Sequence, residues 1–272
     1  MAEHASIRYT TDSKLFLSEG DEGMPVNDYY DATKWDLGEE DRMLFEREHK
    51  CLAYIAALPK ARMILDVGCG DGLFLDHLAV AMKGRKNVSL WGVDFSKYKL
   101  AKAKKSGHNV KQCDLEKGLP FEDNHFDVVY AAELIEHLYN PDFFLEECYR
   151  VLKPGGKIIV STPNLHAWYN RFLFIFGIQP IFYEVSTKSP QIGSGILKKV
   201  KKGQAPVGHV HVFNRAGLVD MLRHEGFELR HFMGARFHAL PRFTHFVDKL
   251  FNARPSMASN LIAIAQKPEP TE

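Results

Sequence analysis

Nine residues constrain this chain more than any others: Ile64-Leu65-Asp66-Val67-Gly68-Cys69-Gly70-Asp71-Gly72. An apolar run with one acid near its end meets three glycines at alternate positions. A strand buried in a parallel sheet reads as a continuous apolar run. Glycines directly after it let the backbone turn tightly and let a ligand approach main-chain atoms. Leu73 to Met82 then suits a helix. The pattern is a strand–loop–helix nucleotide site, and its spacing narrows the ligand. A dinucleotide fingerprint is G-x-G-x-x-G. Here Gly68, Gly70 and Gly72 give G-x-G-x-G, with Leu73 where that fingerprint wants Gly. The Asp66 carboxylate would repel a pyrophosphate but pair with an ammonium group. The expected ligand has an amino-acid end and no phosphates, which disfavours an NAD-dependent oxidoreductase.

At this loop the chain resembles the class I S-adenosylmethionine-dependent methyltransferases, whose first motif is an acid followed by G-x-G-x-G. Later segments fall in register with that resemblance. Val88 to Val93 reads as a second strand ending in Asp94. An acid there is where a doubly wound fold meets ribose hydroxyls. Asp94 also suits the N-cap of a helix over 96–106. Phe95 is expected against the adenine face. Asp114, after a short third strand, matches the family position that bonds the adenine amino group. Arg150-Val151-Leu152-Lys153-Pro154-Gly155-Gly156 is similar to a recurrent methyltransferase segment. The resemblance covers about residues 60 to 162. The implied cofactor, S-adenosylmethionine, would contact Asp66, Gly68, Cys69, Gly70, Gly72, Asp94, Phe95, Asp114, Leu115, Ala131 and Glu133.

A second constellation follows the fourth strand, 127–132: Glu133-Leu134-Ile135-Glu136-His137. Glu133 and Glu136 are three apart, so on a helical turn they would share a face. Two carboxylates and an imidazole suit a divalent cation. Oxygen-rich ligation favours Mg²⁺ or Mn²⁺, and more imidazole favours later transition metals. Gly208-His209-Val210-His211-Val212-Phe213 supplies further imidazoles. This arrangement resembles two groups: the small-RNA 3′-terminal 2′-O-methyltransferases, where such residues hold a metal, and the ubiquinone-biosynthesis O-methyltransferases. Carried over, the ligands are Glu133, Glu136, His137 and His211, with His209 a substitute. The metal-free alternative makes Glu136, His137, His209 and His211 a polar catalytic cluster, with His209 or His211 as general base.

The chain has 272 residues, a net charge of +1, 45% hydrophobic and 25% charged residues. These values suit one large α/β domain and give no global drive toward nucleic acid. The four cysteines lack C-x-x-C pairing, so reduced thiols in a cytoplasmic protein are expected. No basic-then-apolar leader opens the sequence, and no apolar run reaches about 18 residues. The expected fold is a Rossmann-like, doubly wound seven-stranded sheet, its last strand antiparallel. Helices cover both faces and a cap follows strand five.

Five parts are expected: an N-terminal tail and helical lid over 1–60, its helix read either as packed on the sheet edge or as a lid over cofactor and substrate, a cofactor-binding core over 61–162, a cap over 163–208, the rest of the fold over 209–266, and a disordered tail over 267–272. Tyr30 in the lid, and Asn164, Trp168 and Tyr169 in the cap, are the candidate substrate contacts. Phe172 to Ile178 is an apolar run, read either as a buried roof over the substrate or as a face for a membrane or a lipid-like substrate. Lys198, Lys199, Lys201 and Lys202 form a solvated loop or contact anionic lipid, phosphate or RNA. A helix over 240–252 is expected to turn Phe243, Phe246, Val247 and Leu250 inward. The function expected is O-methylation of a small, sugar-like or lipid-linked hydroxyl compound. RNA ribose 2′-O-methylation and a non-catalytic cofactor-binding module are the competing readings.

Overall fold

In the computed structural model, residues 45–270 are described apart from 187, 200, 203–205 and 237–244. Tyr30, Phe243 and most of the expected N-terminal lid lie outside the described residues. The elements in chain order are α1 (Glu46–Ala57), β1 (Met63–Val67), α2 (Leu73–Ala81), β2 (Ser89–Asp94), α3 (Lys97–Lys105), β3 (Asn109–Gln112), β4 (Phe126–Ala132), α4 (Pro141–Val151), β5 (Leu152–Pro163), α5 (Trp168–Ile175), α6 (Arg215–His224), β6 (Glu228–Ala235), α7 (His245–Asn252) and β7 (Asn260–Gln266). The seven strands run in the order β3-β2-β1-β4-β5-β7-β6. β7 is antiparallel to β5 and β6, and the other pairings described are parallel. This is the expected doubly wound class. Backbone packing divides the chain at Gln112/Cys113 into two units.

In the first unit, Ile64, Leu65 and Val67 of β1 are buried, as a central parallel strand requires. α1 buries every residue from His49 to Ala56, so this part of the expected lid is core rather than cover. Gly92 in β2 permits close packing under the loop. A Cβ there would lie 2.6 Å from Cys69 Sγ and 2.9 Å from Leu75 Cδ1.

In the second unit, β4, β5 and β7 carry a continuous apolar core, with Val129, Ile158, Ile159 and Ile262 to Ala265 fully buried. The Lys153-Pro154-Gly155-Gly156 run is part of β5. The register against β4 jumps between Phe126 and Val128, so the Pro-Gly-Gly run is taken up as an irregularity in the ladder. Arg150 explains its own segment: it donates to the Leu119 and Phe121 carbonyls and to Glu147. Asn214 caps α6 by accepting from Gly217 N, and Gly226, at φ 83°, follows its end. Lys267, placed by the sequence in the tail, is held by Asn124 Oδ1 and the Tyr149 and Leu152 carbonyls.

Two expectations about apolar faces fail. Phe246 and Leu250 of α7 are 79% and 63% exposed rather than inward. The run after Trp168 is not a buried roof, since Phe172, Phe174, Ile175 and Phe176 are all exposed. The inward-facing residue of α7 is an acid, Asp248, which accepts from Trp168 Nε1 at 2.9 Å and Ser259 Oγ at 3.2 Å. These two hydrogen bonds fix the rotation of the helix and turn its apolar residues out.

Candidate active site

The first unit holds the glycine loop. Gly68, Gly70 and Gly72 adopt φ of 79°, 57° and 90°, the left-handed region that a side chain resists. Gly68 N and Cys69 N both donate to Val93 O, fastening the loop to the end of β2. Gly72 then opens α2. Asp94, at the end of β2, accepts from Gly70 N at 3.0 Å through Oδ2 and from Ser96 N at 2.8 Å through Oδ1. The N-cap of α3 is Ser96, not Asp94. Asp94 therefore ties the loop to the strand end, and each oxygen keeps a second lone pair for a ligand hydroxyl. Phe95 is 72% exposed, a free face for a flat ring.

Asp66 is 3% exposed. Burial, then the charges of Asp94 and Glu48, push its carboxyl up from 3.8 to about 8. An ammonium group arriving beside it would favour its charged form. The Cys69 thiol is pushed well above its ordinary range by burial and by Asp66 and Asp94, so it is no nucleophile. These features fit the amino-acid and ribose ends of S-adenosylmethionine.

In the second unit, Asp114 accepts from Glu116 N and pairs with Lys117 Nζ at 3.0 Å. Lys117 holds its carboxyl below the usual range. Here it caps the turn at Leu115–Lys117, where Leu115 is half-buried. Ala131 is buried in β4. Glu133 follows β4 at φ 49°, a strained backbone for a residue with a side chain, held by Glu133 N donating to Ser161 O. Only Ile135–His137 forms a helical turn, so Glu133 and Glu136 do not share a helical face as expected.

The structure brings together Glu136, His137 and His209, with one ligand atom from each within 4.8 Å of the others. His211, the expected ligand, sits in a different role. Its backbone N and that of Val210 donate to Glu136 O, and its Nε2 lies 3.4 Å from Tyr139 O. The ring partners explain which histidine is presented. His209 Nδ1 lies 3.1 Å from Phe182 O, and His137 Nδ1 lies 3.3 Å from Gly208 O. A carbonyl only accepts, so in the neutral rings the proton is assigned to Nδ1 and Nε2 keeps the lone pair. His209 Nε2 is 4.0 Å from Glu136 Oε1, and Glu136 is 1% exposed. The two rings meet edge to face at 4.8 Å. Burial, then repulsion from His137, lowers the basicity of His209 against the weaker pull of Phe182 O and Glu184.

The resemblance put His211 first and kept His209 as a substitute, and spacing could not correct that order. In an extended segment, residues two apart point the same way. The choice is made by Phe182, far off in the chain and carrying no motif.

Beside this group is a small cavity of about 10 Å³ lined by Glu136, Thr162, Asn164, Phe182, His209 and His211, among others. That is room for about one water-sized species. Asn164 does not offer its amide to it. Its Nδ2 donates to the Ser256 and Ala258 carbonyls and its Oδ1 accepts from His166 N. Trp168 bonds Asp248 and stacks on Phe251 at 5.7 Å. Tyr169 is 7% exposed. Burial and the nearby charges of Asp248 and Glu133 raise its phenol above its ordinary range. Asn164 and Trp168 thus tie the start of the cap to residues 248–258, and Tyr169 packs edge-on against Trp168.

Residues 65–160 match the family described as a methyltransferase domain. The ubiquinone biosynthesis O-methyltransferase of Rattus norvegicus is 39% identical over 110 residues, covering 37% of this chain and 30% of that protein. Its counterpart in Paracidovorax citrulli is 32% identical over 142 residues, covering 49% of this chain and 58% of that protein. The match spans less than two thirds of either relative. A SAM-dependent methyltransferase structure from Aquifex aeolicus shares the fold, with a TM-score of 0.51, 17% identity and coverage of 90% and 99%. The acid–glycine loop, Asp94 and the strand order agree with that match: residues 65–160 carry a methyltransferase domain.

Proposed function

We propose that this protein transfers the methyl group of S-adenosylmethionine to a hydroxyl oxygen of a small acceptor, sugar-like or lipid-linked. The observation that carries the oxygen assignment is the Glu136–His137–His209 group. Displacement at a sulfonium needs nucleophile, methyl and sulfur in line in a dry site. A hydroxyl nucleophile must also lose its proton. His209 suits that task, because its lowered basicity keeps it neutral at pH 7 and its Nε2 lone pair is free of the proton on Nδ1. His137 and Glu136 flank it, and the imidazolium formed would be stabilised by the buried carboxylate. Four buried free cysteines fit a reducing, cytoplasmic setting.

The same group supports a second reading, in which Glu136, His137 Nε2 and His209 Nε2 hold a divalent cation. Two nitrogens and one oxygen suit Mn²⁺ or Zn²⁺ better than the Mg²⁺ that an oxygen-rich set would favour. Bound there, a cation would lower the pKa of an acceptor hydroxyl. RNA ribose methylation and a non-catalytic module are the weaker readings. The first has only the lysine-rich loop and the Glu/His group behind it, and the second leaves that group without a purpose.

The test is methyl transfer from labelled S-adenosylmethionine to catechol and polyol acceptors, with and without EDTA, in the parent and in His209→Ala. Transfer surviving EDTA but lost in His209→Ala supports the base. Loss with EDTA and rescue by Mn²⁺ supports the cation. Transfer unchanged in His209→Ala removes both. Failure to bind the cofactor by calorimetry removes the methyltransferase reading itself.

A further inference from the structure

The insertion after β5 carries a charge unlike the rest of the chain. Between residues 163 and 208 the only acid is Glu184, against Arg171, Lys188, Lys198, Lys199, Lys201 and Lys202. Six positive charges less one negative leave +5 in this segment, where the whole chain carries +1. The same segment exposes large apolar side chains. On α5 and the residue after it, Ile175 and Phe176 are 76% and 73% exposed. Phe172 and Phe174 are half exposed.

α7 extends this face. Its inward residue is Asp248, bonded to Trp168 of α5, and its outward residues are Phe246 and Leu250, one turn apart. An ordinary surface helix has the opposite polarity, apolar toward the core and charged toward water. The Trp168–Phe251 stack joins the two helices. Gln179 N donates to Gly193 O, which sets the exposed Ile192 and Ile196 near the end of α5. Exposed Lys198, Lys199 and Lys249 lie on the adjoining elements. Exposed large apolar side chains gathered on joined elements, with lysines among them, mark an interaction site.

We propose that α5, α7 and the turn at 192–199 form a face that docks peripherally on an anionic lipid bilayer. Aromatic and aliphatic side chains enter the headgroup–acyl boundary while lysines meet the lipid phosphates. Among the described residues no helix is long and apolar enough to cross a membrane, so the contact is interfacial. A second copy of the chain is a poorer occupant, because it would bring one +5 segment against another. The proposal stands apart from the methyl-transfer reading, since lipid binding is read without cofactor or acceptor.

The test is co-sedimentation of the full chain with phosphatidylcholine vesicles and with vesicles containing about 30% phosphatidylglycerol. The expected result is at least about tenfold stronger partition onto the anionic vesicles, weakening as salt rises. Phe176→Asp and Phe246→Asp, with folding checked by circular dichroism, are each expected to cut partition at least about tenfold. Lys198→Glu with Lys199→Glu is expected to abolish the preference for anionic lipid. A parent that stays in the supernatant at low salt overturns the proposal, as do aspartate variants that sediment like the parent. A parent dimer that Phe176→Asp converts to monomer, with no vesicle binding by either, assigns the face to a second copy instead.

Discussion

The donor loop and the Glu136–His137–His209 group are assembled in opposite ways. Asp66, Gly70 and Asp94 fall within 29 residues of sequence, and their contacts run along two neighbouring strands. Glu136 and His209 are 73 residues apart, and His209 is aimed by Phe182 O in an irregular segment. A local site is set by strand pairing and glycine conformations. A distant one is set by loop packing, which no periodicity announces. The two regions are therefore expected to respond separately to substitution.

The largest expected effect is at the distant group. His209→Ala should lower turnover by about 10²–10⁴-fold, the range for a lost general base, with cofactor affinity by calorimetry unchanged. Equal loss in both would break the separation. Because His209 is less basic than a free imidazole, the acid limb of the pH–rate profile should fall below pH 6.5. The matching stability term has a definite sign. Between the lowered folded pKa and 6.5 the unfolded state binds more protons, so stability rises with pH through that window.

Asp94→Ala comes next. It removes the acceptor of Gly70 N and the proposed ribose contacts. Hydrogen bonds to a charged group are worth roughly 1.5–3 kcal/mol, so cofactor affinity should fall about 10–100-fold while His209 chemistry at saturating cofactor persists. Affinity unchanged in calorimetry would place the cofactor elsewhere.

Gly92→Ala should cost about 1–3 kcal/mol of stability by overpacking against Cys69 and Leu75, measured by denaturant unfolding. If its effect reaches turnover at saturating cofactor, the donor region is coupled to the distant group after all.

The smallest effect is a proton. With its carboxyl near pKa 8, Asp66 is mostly protonated at pH 7. An ammonium group arriving beside it should release up to about one proton, seen as a buffer-dependent binding enthalpy that Asp66→Asn abolishes. Asp66 is raised above its unfolded value, so its stabilising contribution is present at low pH and lost as pH rises through about 8. The melting temperature of the cofactor-free protein should decline over that range in the parent and stay flatter in Asp66→Asn.

The sheet, the glycine loop and the carboxylate of Asp94 were legible because each follows from a short-range rule. Apolar runs become buried strands, alternate glycines allow positive φ, and an acid ending β2 stands beside the loop. The expected sharing of a face by Glu133 and Glu136 failed because Glu133 takes a left-handed backbone that a helix rule does not foresee. The inward face assigned to α7 failed for a related reason. Its apolar spacing was read correctly, but Trp168 and Ser259 hold Asp248 inside, and two specific hydrogen bonds outweighed the pattern.

The sequence by itself determined the fold class and the kind of donor the first loop accepts, since strand period and glycine conformation act over a few residues. Only the tertiary structure decided that His209 rather than His211 joins Glu136 and His137, and that the aromatic run faces water. Both depend on carbonyls and an acid supplied by residues far along the chain, whose positions exist only once the chain has folded.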